Sequence, residues 1–301
     1  MTALTKSASS IVKWGKETEK NMRVSHTEGM YLDTIPWQFD RFRELLEKHS
    51  KIPHDEVEAE IFKIRDKAWE IVNYPCIGAF NFVRLLEFED DYPNIRKAIE
   101  RLKAPGSQET FLEFGGFLFQ TIRQLTFEGV DSARLYGTDL HTEFIELGYE
   151  LFRDRDTLKA TFVAGDMLLP HEQYAVSDLP NTLAGKVTIM HASNFFHLFT
   201  WESQLVLCEP LIQLLRLSSD ATGPAMIMGS HCGSIRPGVS DFFSVFLHDE
   251  STFQSLWDTV GSKTGTHWKV SQKFISDSPP KPSVFNKYTR TVQFVVTEVK
   301  E

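Results

Sequence analysis

No stretch of the 301-residue chain approaches the about twenty consecutive apolar residues that a membrane-spanning helix needs. Positive charge is also scarce: 32 Lys and Arg against 41 Asp and Glu give a formal net charge of −9. A protein that grips a nucleic-acid backbone needs a basic face, so nucleic acid is not an expected partner. Only three cysteines occur, Cys76, Cys208 and Cys232, an odd number and far apart. They exclude a disulfide scaffold and predict a reducing, cytoplasmic setting. The first residues lack an uninterrupted apolar core, so no signal peptide is expected. Histidines and acids show no ligand spacing of the H-x-x-x-H kind, and no metal site is predicted. Internal repeats are absent.

What is present is a regular alternation in residues 110–166. A short apolar run ends in Glu113, Gly115 and Gly116, and a helical pattern follows through Ile122 and Leu125. A second run, 134–139, ends in Asp139 and leads into an amphipathic helix over 142–152. A third run, 160–166, ends in Asp166. Strand, helix, strand, helix, strand predicts parallel units joined by right-handed crossovers, with ligands bound outside the carboxyl ends of the strands. Glu113, Asp139 and Asp166 all fall at such ends. An acid closing the second strand suits a ribose diol, and Asp166 suits an adenine amino group.

The flanks complete an α/β fold with a mostly parallel sheet. Residues 1–30 are polar and aperiodic and predict a loose N-terminus. Residues 31–107 carry helical stripes, Trp37, Phe42, Leu45 and Leu46 in one and Ile61, Ile64, Ala68 and Trp69 in another. They read either as packing against the sheet or as a helical lid whose Tyr74, Phe80 and Phe82 line a hydrophobic substrate pocket. Residues 108–301 form the sheet domain. Its fourth strand is expected over 185–191, a helix over 201–217, and a fifth strand over 223–230, with Gly233 in the loop beyond. A helix follows over 249–260, and two β-rich runs, 267–274 and 290–299, close the chain as an antiparallel pair. Residues 278–282, with three prolines, make the connection between them.

Three segments, LYGTDLHTEFIELGYELFRDRDTLKATFVAGD, HASNFFHLFTWESQ and GSKTGTHWKV, carry a resemblance. Together with the acid-x-Gly turn, they resemble class I S-adenosylmethionine-dependent methyltransferases with a Rossmann-like fold. More narrowly, they resemble fungal secondary-metabolite enzymes of the meroterpenoid type. The resemblance implies S-adenosylmethionine as cofactor, with Glu113 and Gly115 near its methionine part, Asp139 on the ribose, and Asp166 and Met167 on the adenine. It implies that His191, at the end of the fourth strand, faces the methyl group. A carboxylate acceptor needs no base, whereas a phenol or alcohol wants one, and His191 or His197 fits that role.

One departure stands out. Phe119 occupies a position where the family turn has glycine, which sets a bulky ring beside the cofactor unless Gly116 takes the strain of a reshaped turn. Three functions follow. The first is methyl transfer to a carboxylate or hydroxyl oxygen of a hydrophobic polyketide-terpenoid metabolite. The second keeps the fold for a cyclisation or isomerisation, with His191, His197 and His231 aimed at substrate. The third is a non-catalytic partner with an exposed apolar patch. The N-terminal helices also offer a surface for homodimer pairing.

Overall fold

A computed structural model describes residues 30–85, 88, 92–217, 223–240, 244–275 and 286–299. The predicted loose N-terminus, apart from Met30, and the proline-rich connection over 278–282 lie outside these residues. Nine strands are described: β1 Phe111–Phe114, β2 Leu135–Asp139, β3 Thr161–Ala164, β4 Ile189–His191, β5 Met226–Ser234, β6 Gly238–Val239, β7 Phe246–Leu247, β8 Trp268–Phe274 and β9 Thr289–Glu298. Seven of them form one sheet in the order β3-β2-β1-β4-β5-β9-β8, and β6 pairs with β7 separately. Strands β1 to β5 run parallel, and β9 is antiparallel to both β5 and β8. The chain builds β1, β2 and β3 outward, then returns to place β4 on the other side of β1. That reversal opens a crevice at the carboxyl ends of β1 and β4.

β1 is buried at every residue, as a central parallel strand covered on both faces must be. Alternation along it divides the interior in two. Phe111, Ile189 and Met228 join a core made with Phe42, Ile61, Ile64 and Ala68 from the N-terminal helices, and with Ile122, Phe144 and Phe152. Leu112, Met190 and Ile227 face the other core, with Leu207, Leu211, Phe253 and Trp257. Local chemistry sets the helix ends. The Thr200 side chain accepts from Ser203 N to start the helix Trp201–Leu214. Asp249 and Thr252 form a reciprocal capping box at the helix Glu250–Thr264, which Gly265 closes at φ 70°.

The antiparallel C-terminal pair and the helix over 142–152 fall where the pattern placed them. Strand boundaries differ most at β4 and at β5, which begins at Met226 and not at 223. β4 begins only at Ile189, because the Lys186 and Val187 amides donate to Leu214 O at 3.2 and 3.0 Å. β5 continues through Gly233 to Ser234, since β9 pairs with it along its whole length, from Met226↔Thr297 to Ser234↔Thr289. The parallel neighbour β4 pairs only with Met226–Met228, and the antiparallel partner carries the pairing over six further residues.

Candidate active site

The acids and glycines that the sequence singled out converge on one rim. The turn after β1 is stitched to the end of β2: Gly115 N donates to Thr138 O at 2.8 Å, and Phe117 N to Asp139 Oδ2 at 3.0 Å. Asp139 Oδ1 accepts from His141 N at 3.1 Å, and its carbonyl accepts from Gly165 N at 3.0 Å. Asp139 is half-buried. Burial raises the pKa of its carboxyl against the pull of the His141 and Phe117 amides. Each carboxylate oxygen has accepted one hydrogen bond and keeps a lone pair for a second, the pattern that a vicinal diol donates to. Asp166, two residues past β3, accepts from Leu168 N at 2.8 Å and is half-buried beside the buried Met167.

Glu113 and His191 are register partners on adjacent strands, so their side chains share a face. His191 Nδ1 lies 3.9 Å from Glu113 Oε1. Glu113 Oε2 accepts from Ile122 N at 3.2 Å, in the first turn of the helix Gln120–Phe127. Burial pushes the Glu113 carboxyl up to about 7, opposed by His191, Thr121 and the Ile122 amide. Ser193 Oγ sits 2.9 Å from His191 Nε2 and accepts from Ser230 N at 2.9 Å.

His197 and His231 lie apart from this group, on the far side of the β5 rim. His231 is buried among Phe196, Phe253 and Phe294, with ring centroids 4.8–6.4 Å away. His197 Nδ1 accepts from Cys232 N at 3.4 Å, and burial lowers its pKa to about 4. Of the predicted pocket aromatics, Phe80 is wholly enclosed, packed on Phe62 at 4.9 Å and under the Arg65 guanidinium at 4.4 Å. Phe82 reaches the rim through Phe117, 5.5 Å away, and Tyr74 is partly buried against the N-terminal core.

Phe119 does not crowd the rim. Its backbone takes the left-handed conformation, φ 55°, that suits the glycine of the usual turn, and its ring turns inward with no exposure. It covers two glycines: a Cβ on Gly116 would lie 2.4 Å from the ring, and one on Gly137 would lie 2.6 Å from it. The strain rests on Phe117 and Phe119, both at φ 55°, and not on Gly116. A left-handed non-glycine residue costs about 1–2 kcal/mol, and truncating a buried Phe costs about 3–5 kcal/mol. Phe119→Gly is therefore expected to lower stability by about 1–4 kcal/mol in urea unfolding, despite the relaxed backbone. A stabilised variant would show that strain dominates.

Sequence reasoning missed Ser193, Arg123 and Asp154. Ser193 follows His191 by two residues, and an i, i+2 pair at a strand end was a usable signal. Arg123 stood as a lone cation between Ile122 and Leu125, but its partner lies 31 residues away.

Residues 33–83 match the family described as meroterpenoid methyltransferase N-terminal domain. The chain is 35% identical over 240 residues to O-methyltransferase phiE of Fungal sp. (strain ATCC 74256), covering 78% of this chain and 75% of that protein. It is 35% identical over 242 residues to the Asnovolin E/Chermesin D methyltransferase nvfJ of Aspergillus novofumigatus, covering 78% and 83%. Among solved structures, geranyl diphosphate C-methyltransferase from Streptomyces coelicolor A3(2) superimposes with a TM-score of 0.50 at 10% identity, over 95% of this chain and 98% of that one. That likeness concerns the fold alone.

Proposed function

The chain belongs to the family of fungal secondary-metabolite methyltransferases, and from that premise we propose that it uses S-adenosylmethionine to methylate an oxygen of a hydrophobic polyketide-terpenoid metabolite. The observation that carries this reading is the joining of the Gly115–Phe117 turn to Asp139, whose two oxygens keep one acceptor site each beside a rim cleared of the Phe119 ring. Asp139 would hold the ribose hydroxyls, and Asp166 with Met167 the adenine. Gly115, at φ 62°, lets backbone approach the methionine part. Bound there, the cofactor supplies a methyl group on a cationic sulfur, which a positioned oxygen nucleophile attacks in line.

The helices upstream of β1 act as a lid unit over residues 31–107, set on a catalytic domain over 108–301; the Phe82–Phe117 contact links the two at the rim. Tyr74 and Phe82 wall the acceptor's side of that junction, with Phe80 behind them and His197 at its far edge, while His231, enclosed among Phe196, Phe253 and Phe294, stands outside it. The three free thiols suit a cytoplasmic enzyme. No described helix is long and apolar enough to cross a membrane, and the N-terminal helices are the surface for a homodimer.

Calorimetric titration with S-adenosylmethionine and S-adenosylhomocysteine tests the reading. Micromolar binding is expected, weakened about 100-fold or more in Asp139→Ala, because two hydrogen bonds to a charged acceptor contribute about 1.5–3 kcal/mol each. If the wild-type chain binds neither compound, methyl transfer is wrong and a cofactor-free rearrangement takes its place.

A further inference from the structure

Behind the rim, on the side of the sheet that the N-terminal helices cover, one buried polar side chain has no structural task. Gln293 lies in the middle of β9, opposite Ser230 of β5. Its neighbour Phe294 faces the core with Phe253 and Trp257, so alternation turns Gln293 to the face shared by Met228 and Val295. Gln293 is 8% exposed, and its carboxamide has no hydrogen-bond partner among the described residues. A buried amide left in that state is costly, and native chains pair such groups or reserve them for a ligand.

The amide opens onto a cleft. Tyr92, Asn94 and Ile95, at the start of the helix Pro93–Lys103, face Met228, Gly229 and Gln293 across it. First-turn amides of a helix have no acceptor within that helix, and its dipole favours an electron-rich atom at that end. Both walls therefore offer N–H groups. No charged side chain is among the described residues lining the cleft, so an ion would be buried there without a partner. The empty space, counted out to its open side, is about 190 Å³. That is below the about 300–1,000 Å³ of a site that encloses a whole small ligand, and suits one ring of a larger molecule. The cleft also adjoins the rim. A Cβ on Gly229 would lie 2.9 Å from the Ala192 carbonyl, and Ser230, the register partner of Gln293, donates its amide to Ser193 Oγ at 2.9 Å.

We propose that this cleft is a ring subsite for the methyl acceptor, in which the Gln293 carboxamide donates to a neutral ring carbonyl, a ketone or a lactone, of the molecule methylated at the rim. This rests on the methyl-transfer reading. Gln293 is then a specificity-determining residue. A ring carbonyl satisfies the amide, whereas a hydrocarbon ring of the same shape strands it, and a site built for a hydrogen bond discriminates against the analogue that lacks one.

NMR of the full chain tests the subsite with no cofactor and no turnover. The probes are cyclohexanone, methylenecyclohexane (the same ring without the oxygen) and cyclohexanecarboxylate. Protein labelled with ¹⁵N-glutamine reports through the Gln293 side-chain amide, assigned by its loss in Gln293→Leu. The Met228 methyl group, assigned through Met228→Leu, reports from the same wall in chains that lack the amide. Cyclohexanone is expected to shift both signals saturably and to bind about tenfold more tightly than methylenecyclohexane, the effect of one net hydrogen bond. Gln293→Leu, an apolar replacement of similar size, is expected to erase that preference while methylenecyclohexane still binds, which also shows that the cleft is folded. Equal binding of ketone and alkene by the wild-type chain, tighter binding of the carboxylate, or no saturable shift with any probe overturns the subsite. So does a ketone preference that survives in Gln293→Leu. Ketone binding absent while the calorimetric titration succeeds removes the subsite alone; the reverse removes methyl transfer and leaves the cleft as a carbonyl site.

Discussion

Arg123→Ala is expected to lower the stability of the chain by about 3–5 kcal/mol, the range for breaking a buried ion pair from one side. The Arg123 side chain has no exposure, and Asp154 is equally enclosed. The contact is bidentate, Nε to Oδ2 at 2.9 Å and the second terminal nitrogen to Oδ1 at 3.0 Å, the geometry in which an arginine interacts most strongly. The remaining terminal nitrogen donates to Leu118 O at 3.1 Å and Phe119 O at 3.4 Å, so one guanidinium also secures the turn that shapes the candidate cofactor rim. Phe152, Phe162 and Tyr149 surround it at 4.9–5.3 Å. His49, from the N-terminal helices, reaches Asp154 Oδ2 at 3.2 Å. Burial opposes ionisation of Asp154, but the hydrogen bonds from His49 and Arg123 outweigh it and hold the carboxyl below its ordinary value.

Truncating the arginine strands that carboxylate in the interior and frees the turn carbonyls together. Replacing both partners, Arg123→Met with Asp154→Leu, is expected to cost less than Arg123→Ala alone. Urea unfolding of the three chains decides the matter. A loss under about 1 kcal/mol for Arg123→Ala would place the pair among surface-like contacts.

The difference between what the sequence disclosed and what it hid is one of range. The positions of Glu113, Asp139 and Asp166 were legible because a parallel strand announces its own end: an apolar run, then an acid or glycine. The helix over 142–152 and the β8–β9 pair were legible for the same reason, through a period of 3.6 or 2 within one segment. Side-chain direction was not. Phe119 reads as an obstruction until its φ of 55° is known, because a left-handed backbone sends the ring over Gly137 and away from the rim. Likewise, nothing within 31 residues of Arg123 announces Asp154, and nothing near His191 announces Glu113 until β1 and β4 are laid side by side. The extension of β5 was hidden by its glycine, which the antiparallel partner β9 accommodates.

Acid is expected to unfold the chain steeply below pH 6, and the cause is a set of histidines kept neutral by burial. His248 is enclosed, bonded through Nε2 to Gln204 Oε1 at 2.8 Å and near Thr252 Oγ1 at 3.2 Å. Burial lowers its pKa to about 3, although Asp249 pulls the other way. His231 lies well below its ordinary value through burial and the neighbouring His197 and His248, with Gln272 opposing. His197 is lowered to about 4. Each of these groups takes up its proton near pH 6.5 when unfolded but not when folded. Their contribution is complete above about pH 6.5 and is lost as pH falls towards 4, at about 1.4 kcal/mol per unit for each group. Glu113 runs the other way. With its pKa raised from 4.5 to about 7, the folded chain holds one more proton than the unfolded chain between those values, so acidification favours folding there. Asp139, also raised by burial, opposes in the same sense, so three histidines against two carboxyls leave about one to two net protons, or about 1.4–3 kcal/mol per pH unit between pH 6 and 5. Urea unfolding at pH 7.5, 6 and 5 reads this slope directly. Glu113→Gln should steepen it, because an opposing group is gone, and His248→Gln should flatten it by about half or more. A chain equally stable at pH 7.5 and 5 would mean that these histidines accept protons in place, in a setting far wetter than the packing of Phe196, Phe253 and Phe294 allows.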